Sequence, residues 1–82
     1  MVSRRLDQKT AVTPDAKGRP VRFSRGQRQI EIEEILDEWE EAGCWWQGEQ
    51  ARRVYCVRCA GGAVYEIHHQ PPGGWRLYRA YD

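Results

Sequence analysis

Long apolar runs are missing from this 82-residue chain, and no stretch approaches the ~20 residues of a membrane-spanning helix. The opening MVSRRLDQKTAVTPDAKGRP holds no apolar block of the size a secretory leader needs, so a cytoplasmic protein is the expectation. Cysteine is scarce and odd in number. Cys44, Cys56 and Cys59 do not make the even set of a secreted disulfide framework. Phenylalanine occurs once, and the two histidines, His68 and His69, stand near no Ser or Cys nucleophile pattern. No cofactor motif or internal repeat is visible either, so catalysis is not expected. Lysine and arginine are wholly absent between residues 29 and 49.

What is present points to one small domain. A chain of this size buries only about 60% of its surface, so each large ring counts. Four Trp, four Tyr and one Phe supply much of the core. The net charge of +1 conceals a segregated pattern. Residues 1–28 carry eight cationic side chains against Asp7 and Asp15. Residues 29–49 carry eight acids and no cation. Residues 50–82 carry five arginines against Glu66 and Asp82. Such asymmetry marks a partner surface, or segments that pair with one another on a solvated face.

Along the chain, residues 1–18 are polar and without apolar period, and they read as a disordered tail. A single small β domain is expected over 19–82. PVRFS alternates through Val21 and Phe23, RGQR is a turn, and QIEI alternates through Ile30 and Ile32, which gives a first hairpin. In EEILDEWEEAG, Ile35, Leu36 and Trp39 fall at i, i+1 and i+4, which favours a short helix around 33–42, whereas the acids crowding its last turn and the alternating strand before it leave a kinked strand as the alternative. Residues 52–82 read as a three-stranded antiparallel meander. RRVYCVRC places Val54 and Cys56 opposite to Tyr55, Val57 and Cys59. AGGA is a tight turn. VYEIHH sets Tyr65 and Ile67 against Val64, Glu66 and His68. After QPPGG, WRLYRAYD sets Trp75 and Leu77 against Arg76, Tyr78 and Ala80. The fold expected is mainly β: five antiparallel strands in a small barrel-like sheet with at most one short helix. In an extended GCWWQGE, one of Trp45 and Trp46 enters the core and its neighbour faces outward.

Three constellations invite chemistry. CVRC, with Cys44 and the histidines, has the ligand types of a zinc site. On a strand, however, Cys56 and Cys59 face opposite ways, whereas a zinc knuckle needs sulfurs converging from a turn. The acids between Glu31 and Glu41 lack calcium-loop spacing and read as a solvated face. The arginines Arg52, Arg53, Arg58, Arg76 and Arg79, interleaved with Tyr55, Trp75, Tyr78 and Tyr81, have the composition that holds single strands, with phosphates on Arg and bases on rings.

The segments RPVRFSRGQRQIEIEEILDEWEEAGCWWQGE, RRVYCVR, VYEIHH and GGWRLYRAYD together resemble a family of small, uncharacterised bacterial proteins associated with Y-family, error-prone DNA polymerases. The closing GWxLxxxYD pattern is similar to the C-terminal tail of the polymerase-like subunit of bacterial mutagenesis complexes. The resemblance covers about residues 19–82 and rests most on Trp39, Trp45, Trp46, Trp75, Tyr81 and Asp82. It implies a setting in damage-tolerant DNA synthesis and supplies no catalytic residues.

The function expected is a non-catalytic binding module without a cofactor, a protein-interaction accessory in DNA repair or translesion synthesis. Its partner would be a Y-family polymerase or a related repair protein. The alternatives are a single-stranded nucleic-acid-binding β domain and a zinc-supported small fold. Trp46, Arg53, Arg76 and Tyr78 are the candidate binding residues.

Overall fold

The computed structural model describes residues 3–43, 51–70 and 74–81. Seven strands run β1 (Ser3–Thr10), β2 (Val12–Pro14), β3 (Pro20–Arg25), β4 (Arg28–Glu41), β5 (Arg52–Cys59), β6 (Val64–His69) and β7 (Trp75–Tyr81). Their order across the sheet is β1-β7-β6-β5-β4-β3-β2, and every pairing is antiparallel. The two ends of that order are consecutive in the chain. Only Ala11 separates β1 from β2, so one bent strand leaves β7 and continues along β3. The bend is tied down where Ser24 N–H donates to the Ala11 carbonyl (2.9 Å) and the Thr10 hydroxyl donates to the Ser24 carbonyl (2.5 Å). The result is a curled, half-barrel sheet. No helix among the described residues is long and apolar enough to cross a membrane.

The mainly β, antiparallel character agrees with the sequence, and so does the β5–β6–β7 meander. Two of the hairpin turns show glycine where the backbone demands it. Gly26 has φ +61° at the first position of the two-residue β3–β4 loop, and Gly61 and Gly62 have φ +88° and +87° between β5 and β6.

Three expectations are corrected. There are seven strands, not five, because residues 1–18 are not a tail over their whole length: they contribute β1 and β2. The helix expected around 33–42 is the second half of β4. Two irregularities, between Ile32 and Glu34 and between Ile35 and Asp37, insert extra residues into its pairing with β5. Its partly buried positions therefore fall at 30, 32, 35, 38 and 41. Steps of three imitate a helical stripe, although the backbone is extended. The third correction concerns side-chain direction in β7. A bulge against β6 sends both Tyr78 and Arg79 outward and turns Ala80 into the core. In β3 the buried position beside Phe23 belongs to Pro20, while Val21 is 37% exposed.

The core lies on the inner face of the curl. Phe23, Tyr55, Val57, Cys59, Tyr65, Ile67, Leu77 and Ala80 form one buried cluster, with Leu6, Val12, Ile30, Ile32, Ile35 and Trp75 packed against it. Phe23 meets Tyr65 edge to face at 5.3 Å, an arrangement that aligns ring edge with ring face. The Tyr65 hydroxyl accepts from Arg25 Nη1 at 2.9 Å, so burial leaves its oxygen satisfied.

Candidate anion-binding cleft on the outer face

Cross-strand partners share a face, so the register fixes what the outer surface displays. On the β4–β5 seam, opposite charges face each other. Glu34 opposes Arg58 and Glu41 opposes Arg52, with closest nitrogen–oxygen distances of 2.8 and 3.0 Å. Arg22 of β3 meets Glu31 of β4 at 2.9 Å. Each exposed pair contributes under ~1 kcal/mol. Their larger effect is to leave the acid-rich β4 close to neutral. The segregated charges of the sequence are thus largely matched within the fold.

The β1–β7 seam is different. Arg5 opposes Arg79, and Lys9 opposes Arg76. Like charges directly opposite destabilise a ladder. One carboxylate, Asp7, sits among them. It occupies the irregular part of β1 with φ +45°, a left-handed conformation that Asp tolerates better than most residues. From there it grips Arg76 twice: Nε donates to Asp7 Oδ1 (2.8 Å) and Nη2 to the Asp7 carbonyl (3.0 Å). The Arg76 guanidinium holds the Asp7 carboxyl below its ordinary range. Arg5 lies 3.9 Å from the same carboxylate. Lys9 makes no ion pair among the described residues.

Behind these cations stands an aromatic and buried polar layer. Tyr78 stacks on His68 at 4.2 Å, and the guanidinium carbons of Arg5 and Arg79 lie 5.2 and 5.6 Å from the Tyr78 ring centre. His68 is buried, with Nε2 2.6 Å from Glu66 Oε2, and the Tyr81 hydroxyl donates to Glu66 Oε1 at 2.8 Å. Burial, then this bond to Glu66, pushes the Tyr81 hydroxyl up. Trp75 stacks on His69 at 4.0 Å. Arg79 Nε is buried without a hydrogen-bond partner among the described residues. An open cleft of about 650 Å³ runs over this layer, walled by Arg5, Asp7, Lys9, His68, Trp75, Arg76 and Tyr78 and reached by Arg52. Chemically it offers guanidinium and ammonium donors, an aromatic wall and a single acid.

Of the residues expected to bind, Arg76 and Tyr78 come together in this cleft. Arg53 does not. It lies on the Tyr55 face at the rim, bound to Glu38 at 3.4 Å and near Glu40. Trp45, Trp46 and Cys44 lie outside the described residues. Cys56 and Cys59 occupy opposite faces of β5, and no group of three or more metal-ligating side chains occurs among the described residues. Burial pushes the Cys59 thiol up to about 11, the behaviour of a packed apolar side chain rather than of a ligand thiolate. Arg5, Asp7 and Lys9 escaped the sequence reading.

Curl, register and cleft together define a small, mainly β protein with a cation-rich seam along one side of its sheet. The chain belongs to the family described as Domain of unknown function (DUF6504), whose model matches residues 1–82. Comparison with curated proteins and with solved structures found no match.

Proposed function

We propose that this is a non-catalytic, cytoplasmic binding module that engages an anionic partner through the β1–β7 side of its outer face, as an accessory in DNA repair or translesion synthesis. One observation carries the binding surface. Elsewhere on this face opposed charges neutralise each other, whereas Arg5–Arg79 and Lys9–Arg76 face each other as like pairs, with Asp7 between them and Glu66 beside Arg79 on β6 as their acidic neighbours. A bound anion relieves that repulsion. The repair setting rests on the family resemblance of the GWRLYRAYD and RPVRFSRGQ segments, and it makes a Y-family polymerase or related repair protein the companion in the cell.

Two measurements test this reading. Sodium polyphosphate, added at low salt, is expected to raise the melting temperature. At a tenfold excess over Kd the linkage gain is about 1.4 kcal/mol, or roughly 5–10 °C for a domain of this size. Chloride at equal ionic strength should not reproduce it, and an absent shift would remove the anionic partner. The setting is tested by co-purification with a Y-family polymerase. Retention of the polymerase by the wild type is expected, with loss on Trp46→Ala. A folded Trp46→Ala variant that binds normally takes Trp46 off the surface, and no retention by the wild type removes the polymerase.

A further inference from the structure

We infer that the anion taken by the cleft is the phosphate backbone of single-stranded nucleic acid, an inference that rests on reading the cleft as an anion site. The first reason is the spacing of the cations. Arg5–Arg79 and Lys9–Arg76 are two like-charged rungs of one seam, separated by the Gln8–Leu77 rung and by the irregular stretch of Leu6 and Asp7 opposite Tyr78. Three residues of strand rise along β7 put the two pairs roughly 10 Å apart. A single small anion cannot relieve both repulsions at once. A chain that repeats its charge can, with one anionic group at each rung.

The second reason is the preparation of the guanidinium groups. Asp7 takes Nε and Nη2 of Arg76, which leaves Nη1 for a ligand. Tyr78, itself stacked on His68, lies within reach of the guanidinium groups of Arg5 and Arg79. Tyr78 therefore positions arginines rather than waiting empty for a base. Planar donors held in place lose less freedom when they meet a phosphate.

The third reason separates nucleic acid from an acidic peptide. Carboxylates would satisfy the cations but have no use for an aromatic wall. Trp75 packs on the core side and stacks on His69, and it also lines the cleft beside Lys9 and Arg76, so aromatic carbon adjoins the cations where a base would lie. The extent of the site favours a single strand over a duplex. Specific duplex binders neutralise about 6–10 phosphates, whereas this seam offers four cations and one acid.

The test is a fluorescence-anisotropy titration of a labelled oligothymidylate of about 12 nucleotides with the full chain across a range of salt concentrations. Four phosphate contacts predict a slope of log affinity against log salt of about −2.8. The double variant Arg5→Gln/Lys9→Gln, on exposed β1 positions, should halve that slope to about −1.4 and weaken binding about tenfold or more at low salt. Arg22→Gln, whose partner is Glu31 on another seam, should leave the slope unchanged. Circular dichroism melts establish that each variant is folded. Polyglutamate and a duplex of the same sequence run in parallel. If polyglutamate binds as tightly as the oligonucleotide, or the duplex binds better, the nucleic-acid inference falls while the anionic-partner reading stands. A slope near zero, or one the double variant leaves intact, overturns the inference too. If neither single strand nor polyglutamate binds at low salt, both fall.

Discussion

Deleting residues 1–14 is expected to abolish cooperative folding of the remaining chain. The deletion removes β1 and β2 together. It strips six paired positions from β7 and three from β3. It also takes away Leu6 and Val12, which pack on the core, and the Thr10 and Ala11 bonds to Ser24 that hold the bend. Two strand edges that were paired become open, which invites aggregation. Domains of this kind are stable by only about 5–15 kcal/mol, and the lost strands include part of the hydrophobic cluster itself. Urea titration followed by tryptophan fluorescence reads the outcome. The full chain should show a single sigmoidal transition and the shortened chain a gradual drift. An unchanged midpoint would make β1 and β2 peripheral to the fold, and the cleft's cations with them.

Replacing Phe23 with alanine should cost about 3–5 kcal/mol, the range for a fully buried aromatic. Phe23 is 0% exposed and lies on β3, paired with Val12 on one side and Ile30 on the other. It therefore joins the short β2–β3 part of the sheet to the main cluster, and its edge-to-face contact with Tyr65 spans the curl. With a urea slope of about 1 kcal/mol per molar for a small protein, the midpoint should fall by about 3 M or more, enough to leave much of the population unfolded without denaturant. Phe23→Leu keeps most of the volume and should cost less than half as much. A Phe23→Ala loss below about 1 kcal/mol would mean that the cavity collapses and the β3 packing is dispensable.

The parts of the fold legible in the sequence are those where alternation runs without interruption. In β5, Val54 and Cys56 alternate with Tyr55, Val57 and Cys59, and the structure keeps every one of those sides. Alternation fails as a guide where a bulge adds a residue. The irregularities in β4 gave Ile32, Ile35 and Glu38 a spacing of three, and the bulge in β7 moved Ala80 to the face opposite to the one expected. β1 was hidden for a different reason. Its lone apolar residue, Leu6, is followed by the left-handed Asp7, so neither composition nor period marks a strand. The site was legible to the same extent. Arg76 and Tyr78 lie on the β5–β6–β7 meander, while Arg5 and Lys9 arrive from a segment whose place is set by pairing with β7, a contact nearly seventy residues away in sequence. Arg53 was misplaced because alternation puts it on the side of Tyr55 without telling which side of β5 faces the core.

The one-residue junction at Ala11 has a mechanical counterpart in β4. Its first four residues are laddered to β3 and its remainder to β5, so β4, like the β1–β2 strand, straddles the short and long parts of the sheet. Neither part can peel away while both straps hold. The molecule is fastened like a parcel tied twice, and it has no seam along which half of it can come loose alone.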